Sequence, residues 1–143
     1  MYKKILLPTD GSDYAGQEIP RALNILADDG ELLIVSVATK IKPFQFQNKR
    51  HVRELNQKAL KEAEENVEKM KAEIEDIGVK VRTRVVSGFP AESIKKIADE
   101  EEVDLIVISS SGKSGLHKLL IGSVAEKVVS IVDMDVLLIH NND

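Results

Sequence analysis

At 143 residues the chain has room for one domain with a real core, expected to span 1–143, and its 43% hydrophobic, 31% charged and 3% aromatic make-up is that of a folded globular protein, not a disordered one. The formal net charge of −4 and the scarcity of aromatic residues argue against a nucleic-acid partner, which needs clustered Lys and Arg or a base-stacking platform. No apolar run approaches the roughly 20 residues that span a bilayer, so no membrane partner is expected, and the complete absence of cysteine excludes disulfides and thiolate metal sites and points to the cytoplasm.

The N-terminal MYKKILLPTD has only three clearly apolar residues before proline and aspartate, too few for a signal peptide, and is expected to form a first strand over 3–9. A helix over 13–28 follows, irregular in its first turns because it contains Gly16 and Pro20. Leu32 to Val37 is nearly continuous in β-branched and apolar residues, which predicts a strand buried on both faces over 31–38; Ile5 to Leu7, Leu105 to Ile108 and Val136 to Ile139 read the same way. The segment 38–51, ATKIKPFQFQNKRH, has no periodic pattern and is either a cover over a ligand or a solvated linker.

From 49 to 77 apolar residues recur every three or four positions, at Val52, Leu55, Ala59, Ala63, Val67, Met70, Ile74 and Ile77, which predicts one long helix with a single apolar stripe, a solvated opposite face and Gly78 beyond its end. The alternating VKVRTRVV of 79–86 predicts an edge strand. Ser87 and Gly88 then lead into a helix over 90–101, with Pro90 in its first turn and Ile94, Ile97 and Ala98 facing the core. A strand over 104–109, a helix over 122–132 and a strand over 135–140 complete the chain. Strict alternation of this kind predicts an α/β fold, a doubly wound three-layer sandwich around a five-stranded parallel sheet of order 3-2-1-4-5.

In such a sheet, ligands bind beyond the carboxyl ends of the strands where the order reverses, here between the first and fourth strands. Pro8 to Ser12 and Ser109 to Ser123 stand there, both small and polar stretches. Asp10 suits ribose hydroxyls, or alternatively caps the following helix together with Ser12 or Asp13. Gly122 and Ser123 open a helix whose first N–H groups suit a phosphate, unless Ser123 is an ordinary N-cap. The GKS at 112–114 is not a Walker A motif, because the first glycine of that motif would have to stand at Val107 inside a strand. The three histidines, His51, His117 and His140, lie on separate elements and form no catalytic or metal-binding set, and Ser109 to Ser111 sit on no GxSxG elbow.

Three stretches, KKILLPTDGS, SGFPAESIKKIADEEEVDLIVI and GKSGLHKLLIGSVAEKVV, together resemble the universal stress protein family over essentially the whole chain. Its nucleotide-binding members carry GxxGxxxxxxxxxG[ST]; here Gly112, Gly122 and Ser123 match the second half of that pattern, while the first position is Ser109. The resemblance implies an adenine-nucleotide site for ATP or AMP, with Mg²⁺ admitted alongside ATP. In it Asp10 holds ribose, the Val37 backbone meets adenine, Pro8, Thr9 and Ile108 line the base and sugar, and Gly112, Gly122, Ser123 and Val124 hold phosphates. If position 109 needs a positive φ or a close phosphate approach, its serine costs on the order of 1 kcal/mol, tenfold in affinity or less.

The resemblance also implies a homodimer paired through the last strand, which at a sheet edge needs covering in any case. Three functions remain in contention: a nucleotide-dependent homodimeric stress-response switch, a slow Mg²⁺-dependent ATP hydrolase with Lys113 as charge stabiliser, and a nucleotide-free dimeric scaffold marked by Ser109. The first makes the protein a binding module and not an enzyme. The chain names no water-positioning base for the second.

Overall fold

A computed structural model describes residues 1–40, 48–110 and 121–140. The elements run β1 (Tyr2–Pro8), α1 (Asp13–Gly16), α2 (Glu18–Ile25), β2 (Leu26–Thr39), α3 (Lys49–Ile74), β3 (Lys80–Gly88), α4 (Pro90–Glu100), β4 (Leu105–Ser109), α5 (Ser123–Ile131) and β5 (Asp135–Ile139), with a short 3₁₀ turn, Glu75–Ile77, after α3. All strand pairs are parallel and the sheet order is β3-β2-β1-β4-β5, the 3-2-1-4-5 arrangement expected.

Successive side chains of a strand point to opposite faces, so each central strand feeds two cores. Ile5, Leu7, Leu32, Ile34, Leu105 and Val107 pack with Ala15, Ile19 and Ala22 of the first helices and Val67, Met70 and Ile74 of α3. Leu6, Leu33, Val35, Ile106 and Ile108 face the other way, against Ile94, Ile97 and Ala98 of α4 and Ala125 and Val128 of α5. Continuous apolar runs are therefore what a sheet covered on both sides requires.

Three boundaries differ from the sequence expectation. The helix expected over 13–28 is broken at Gln17, between α1 and α2, and Pro20 falls in the first turn of α2 where its missing N–H has no helical partner to lose. That helix stops at Ile25, because Leu26 is drawn into the core and its backbone pairs with Tyr2, before a register break carries β2 onward from Glu31. In α3 the stripe is buried at Val52, Ala63, Val67, Met70 and Ile74, but Leu55 is exposed. Ile77 lies in the 3₁₀ turn and is exposed as well, ahead of Gly78 at φ +82°.

Helix termini follow ordinary capping chemistry. Asn48 caps α3 by accepting the N–H groups of Arg50 (2.9 Å) and His51 (3.4 Å). Pro90 occupies the first turn of α4. The strand β5, expected to be buried on both faces, instead leaves Leu137 37% exposed at the sheet edge. At the other edge, Arg82 of β3 bridges Glu31 (3.1 Å) and Glu101, Lys4 and Lys80 also reach Glu31, and Arg84 meets Glu100 and Glu101.

Candidate functional site

The turn that leaves β1 is built from its own side chains. Thr9 extends the strand by donating its N–H to the Val35 carbonyl (2.8 Å). Thr9 Oγ1 accepts the Gly11 N–H (3.1 Å), Asp10 Oδ1 accepts the Ser12 N–H (2.9 Å), and Ser12 Oγ accepts the Ala15 N–H (3.3 Å). Ser12 is thus the N-cap of α1, and Asp10 shapes the turn without capping the helix. Gly11 has φ +83°, and a Cβ there would stand 2.3 Å from Asn66 Oδ1, so helix α3 presses against the turn only because this residue has no side chain. Lys69 of α3 donates to the Gly11 carbonyl (3.2 Å).

Opposite this turn, β4 ends at Ser109. Its N–H donates to Glu18 Oε2 (3.1 Å) and its hydroxyl to the Tyr14 carbonyl. Glu102 is the one described residue other than glycine with a positive φ, so Ser109 sits in ordinary strand geometry and the backbone strain considered for a serine at this position does not arise. Ser110 continues the sheet by donating its N–H to Ile139 (2.8 Å), and its carbonyl accepts the Gly122 N–H (2.6 Å). That last bond ties the end of β4 to the start of α5.

Gly122 is the N-cap of α5 and Ser123 its first helical residue, and among the described residues no side-chain cap hydrogen bond closes the first turn. The N–H groups of that turn have no intrahelical acceptor, and the helix dipole adds partial positive charge at the same point.

Between these pieces lies a cavity of about 330 Å³, within the size range of small-molecule sites. It brings together Pro8, Thr9, Asp10, Val37, Ile108, Ser109, Gly122, Ser123 and Val124. Gly112, Lys113, His117 and positions 41–47 lie outside the described residues. Val35, Ile94 and Ala125 supply apolar wall, while Thr9 and Asp10 on one side and the α5 terminus on the other supply polar groups.

One member of the wall escaped the sequence reading. Glu18, the first residue of α2, is 1% exposed and lines the cavity; Oε2 holds the Ser109 N–H, and Oε1 has no hydrogen-bond partner among the described residues. Burial pushes its carboxyl well above the usual carboxylate range; the Ser109 N–H opposes that, and the nearby Asp10 charge adds to it. The signal was present in the helical spacing, since Glu18 falls between Ala15 and Ala22 on the face that carries the core.

An open parallel α/β sheet with a polar-ended, apolar-walled cavity at its switch point is the arrangement of the doubly wound class, whose ligands bind at that point. The Universal stress protein family profile matches residues 1–140, and the chain belongs to that family. Universal stress protein MJ0531 of Methanocaldococcus jannaschii is 38% identical over 141 residues, covering 97% of this chain and 82% of that protein. MJ0577 of the same organism is 35% identical over 163 residues, covering 100% of this chain and 98% of that protein. The solved structure of MJ0577 superposes with a TM-score of 0.87, covering 100% of this chain and 99% of the other. A universal stress protein solved in complex with cAMP is 25% identical, with a TM-score of 0.62 and 99% of each chain covered.

Proposed function

We propose that this protein binds an adenine nucleotide, AMP or ATP, at the switch-point cavity and acts in the cytoplasm as a homodimeric stress-response switch. The observation that carries the reading is the pairing, in one cavity, of an aspartate-bearing turn with an uncapped helix N-terminus. A ribose diol needs an acceptor such as Asp10, and a phosphate needs convergent N–H donors such as those of Ser123 and Val124. Pro8, Thr9 and Ile108 then border the sugar and base, the Val37 backbone faces adenine, and Gly122 shapes the phosphate end. The cAMP complex of a similar protein supports an adenine nucleotide as the ligand class.

The dimer is proposed through β5, which has Leu137 partly exposed and whose outer edge pairs with no strand among the described residues, as suits a second copy. Equilibrium titration of nucleotide-stripped protein tests the binding. Saturable binding of AMP or ATP is expected, and Asp10→Ala should weaken it by roughly 10- to 100-fold, the loss of a charge-assisted hydrogen bond. No binding at millimolar nucleotide defeats the proposal.

A further inference from the structure

Glu18 is a buried carboxyl in the cavity wall. Among the described residues Oε2 accepts the Ser109 N–H, the Ser109 hydroxyl adds a weaker favourable contact, and Oε1 has no partner. An ionised carboxylate offers about four acceptor positions and is costly to bury with so few satisfied. Of the described residues around it, Asp10 on the β1–α1 turn brings a like charge, Ser109 of β4 brings its N–H, and Tyr14 of α1 spends its carbonyl on the Ser109 hydroxyl.

The Ser109 N–H stands at the end of a strand, and Ser110 next to it is bonded to the residue that opens α5. It is therefore a donor at the phosphate end of the proposed site, and Glu18 already occupies it.

We infer that Glu18 is a specificity-determining residue of this cavity: by holding the Ser109 N–H and setting a carboxyl beside Asp10, it limits the negative charge a ligand can bring to that end, and an anionic group seated there is accompanied by uptake of a proton onto Glu18. The inference deepens the nucleotide reading and rests on it. The proton comes from solvent and joins a carboxylate oxygen; no other bond changes. A phosphate seated close to the carboxylate raises the carboxyl's affinity for a proton, since a nearby like charge disfavours the ionised form. By linkage, affinity for the anionic ligand falls by up to about tenfold per pH unit once Glu18 is ionised in the free protein. A ligand without phosphate escapes this dependence.

The test compares adenosine with AMP by titration calorimetry on the full chain between pH 7.5 and 9, in buffers of different ionisation enthalpy. In that range the phosphate monoester, whose second ionisation lies near pH 6, is already fully ionised. AMP is expected to take up protons that adenosine does not, wherever Glu18 is ionised in the free protein. The AMP-to-adenosine affinity ratio should fall over the same range. In Glu18→Gln the extra uptake should vanish and the ratio should become independent of pH. A merely structural role for Glu18 would move both affinities together and leave the proton count unchanged.

An AMP-to-adenosine affinity ratio with the same pH dependence in the wild type and Glu18→Gln overturns the inference, as does the same proton uptake in both. Should that variant fail to fold, the wild-type proton count decides by itself. Binding of both ligands without proton uptake defeats only this inference, whereas failure of both ligands to bind defeats the nucleotide reading with it.

Discussion

A carboxyl group without solvent contact must settle its charge through its neighbours, and Glu18 has few that help. Its folded-state proton affinity lies above that of the unfolded chain, so the stability it contributes is full below the ordinary carboxylate range and is lost as pH rises through its raised value. Glu18→Gln, which keeps the shape and removes the charge, should therefore be more stable than the wild type at alkaline pH. Urea denaturation should show the two proteins converging as pH falls toward the carboxylate range. Equal pH dependence in both would contradict the burial argument.

Two neighbouring residues make opposite demands. Ser109 carries no backbone strain and uses its hydroxyl on Tyr14, so Ser109→Gly removes a hydrogen bond and adds chain entropy without relieving anything. A destabilisation of about 1–2 kcal/mol is expected, with no gain in nucleotide affinity beyond about twofold. Gly11→Ala meets both a left-handed φ and the Asn66 side chain, and should cost about 1–3 kcal/mol by thermal or urea denaturation. Asp10 and the Gly122–Ser123 pair were legible as cavity-lining positions because one follows a strand end and the other opens a helix at the sheet's switch point. Glu18 was not, because a glutamate in a helix ordinarily faces solvent, and only the burial of Ala15 and Ala22 on the same face shows otherwise.

Among elements, the strands were the most readable, since a parallel sheet covered on both faces needs continuous apolar runs at Ile5 to Leu7, Leu32 to Val35 and Leu105 to Ile108. Helix ends were less so. The stop at Ile25 depends on Leu26 joining the core and pairing with Tyr2, a tertiary contact that no local propensity announces. The charged edge at β3 was also invisible one residue at a time, because its members come from β1, β2, β3 and the residue after α4.

In that cluster burial pushes the Glu31 carboxyl up, but hydrogen bonds and charge from Arg82 and Lys80 outweigh it and leave it below its ordinary value. The Arg82 hydrogen bond is the main cause of the same depression at Glu101. Carboxyls lowered in the folded state contribute stability above their unfolded values and lose it as pH falls through the folded ones. Arg82→Met should cost about 1 kcal/mol or less near pH 7, since the guanidinium is partly exposed. The deficit should shrink to nothing near pH 3, and a deficit constant across that range would show that packing of the arginine stem, not charge, is responsible.

At the scale of the molecule, the fold places the proposed ligand site and the proposed dimer edge on connected elements. Strand β4 carries Ser109 at its end and pairs along its length with β5, the proposed dimer strand. Light scattering of Leu137→Lys should report a monomer where the wild type reports a dimer; a dimer in both would place the subunit contact elsewhere. The doubly wound order was predictable because alternating elements admit few right-handed arrangements. The cavity's position followed from that order, but its enclosure by Ile94 and Ala125 required the packed structure.

Nucleotide binding at the switch-point cavity is tested most directly by titrating AMP and ATP into nucleotide-stripped wild-type protein and Asp10→Ala, by calorimetry at neutral pH. Saturable binding of at least one nucleotide to the wild type is expected, weakened roughly 10- to 100-fold in the variant. Equal affinity in both proteins, or no binding to the wild type at millimolar nucleotide, would contradict it.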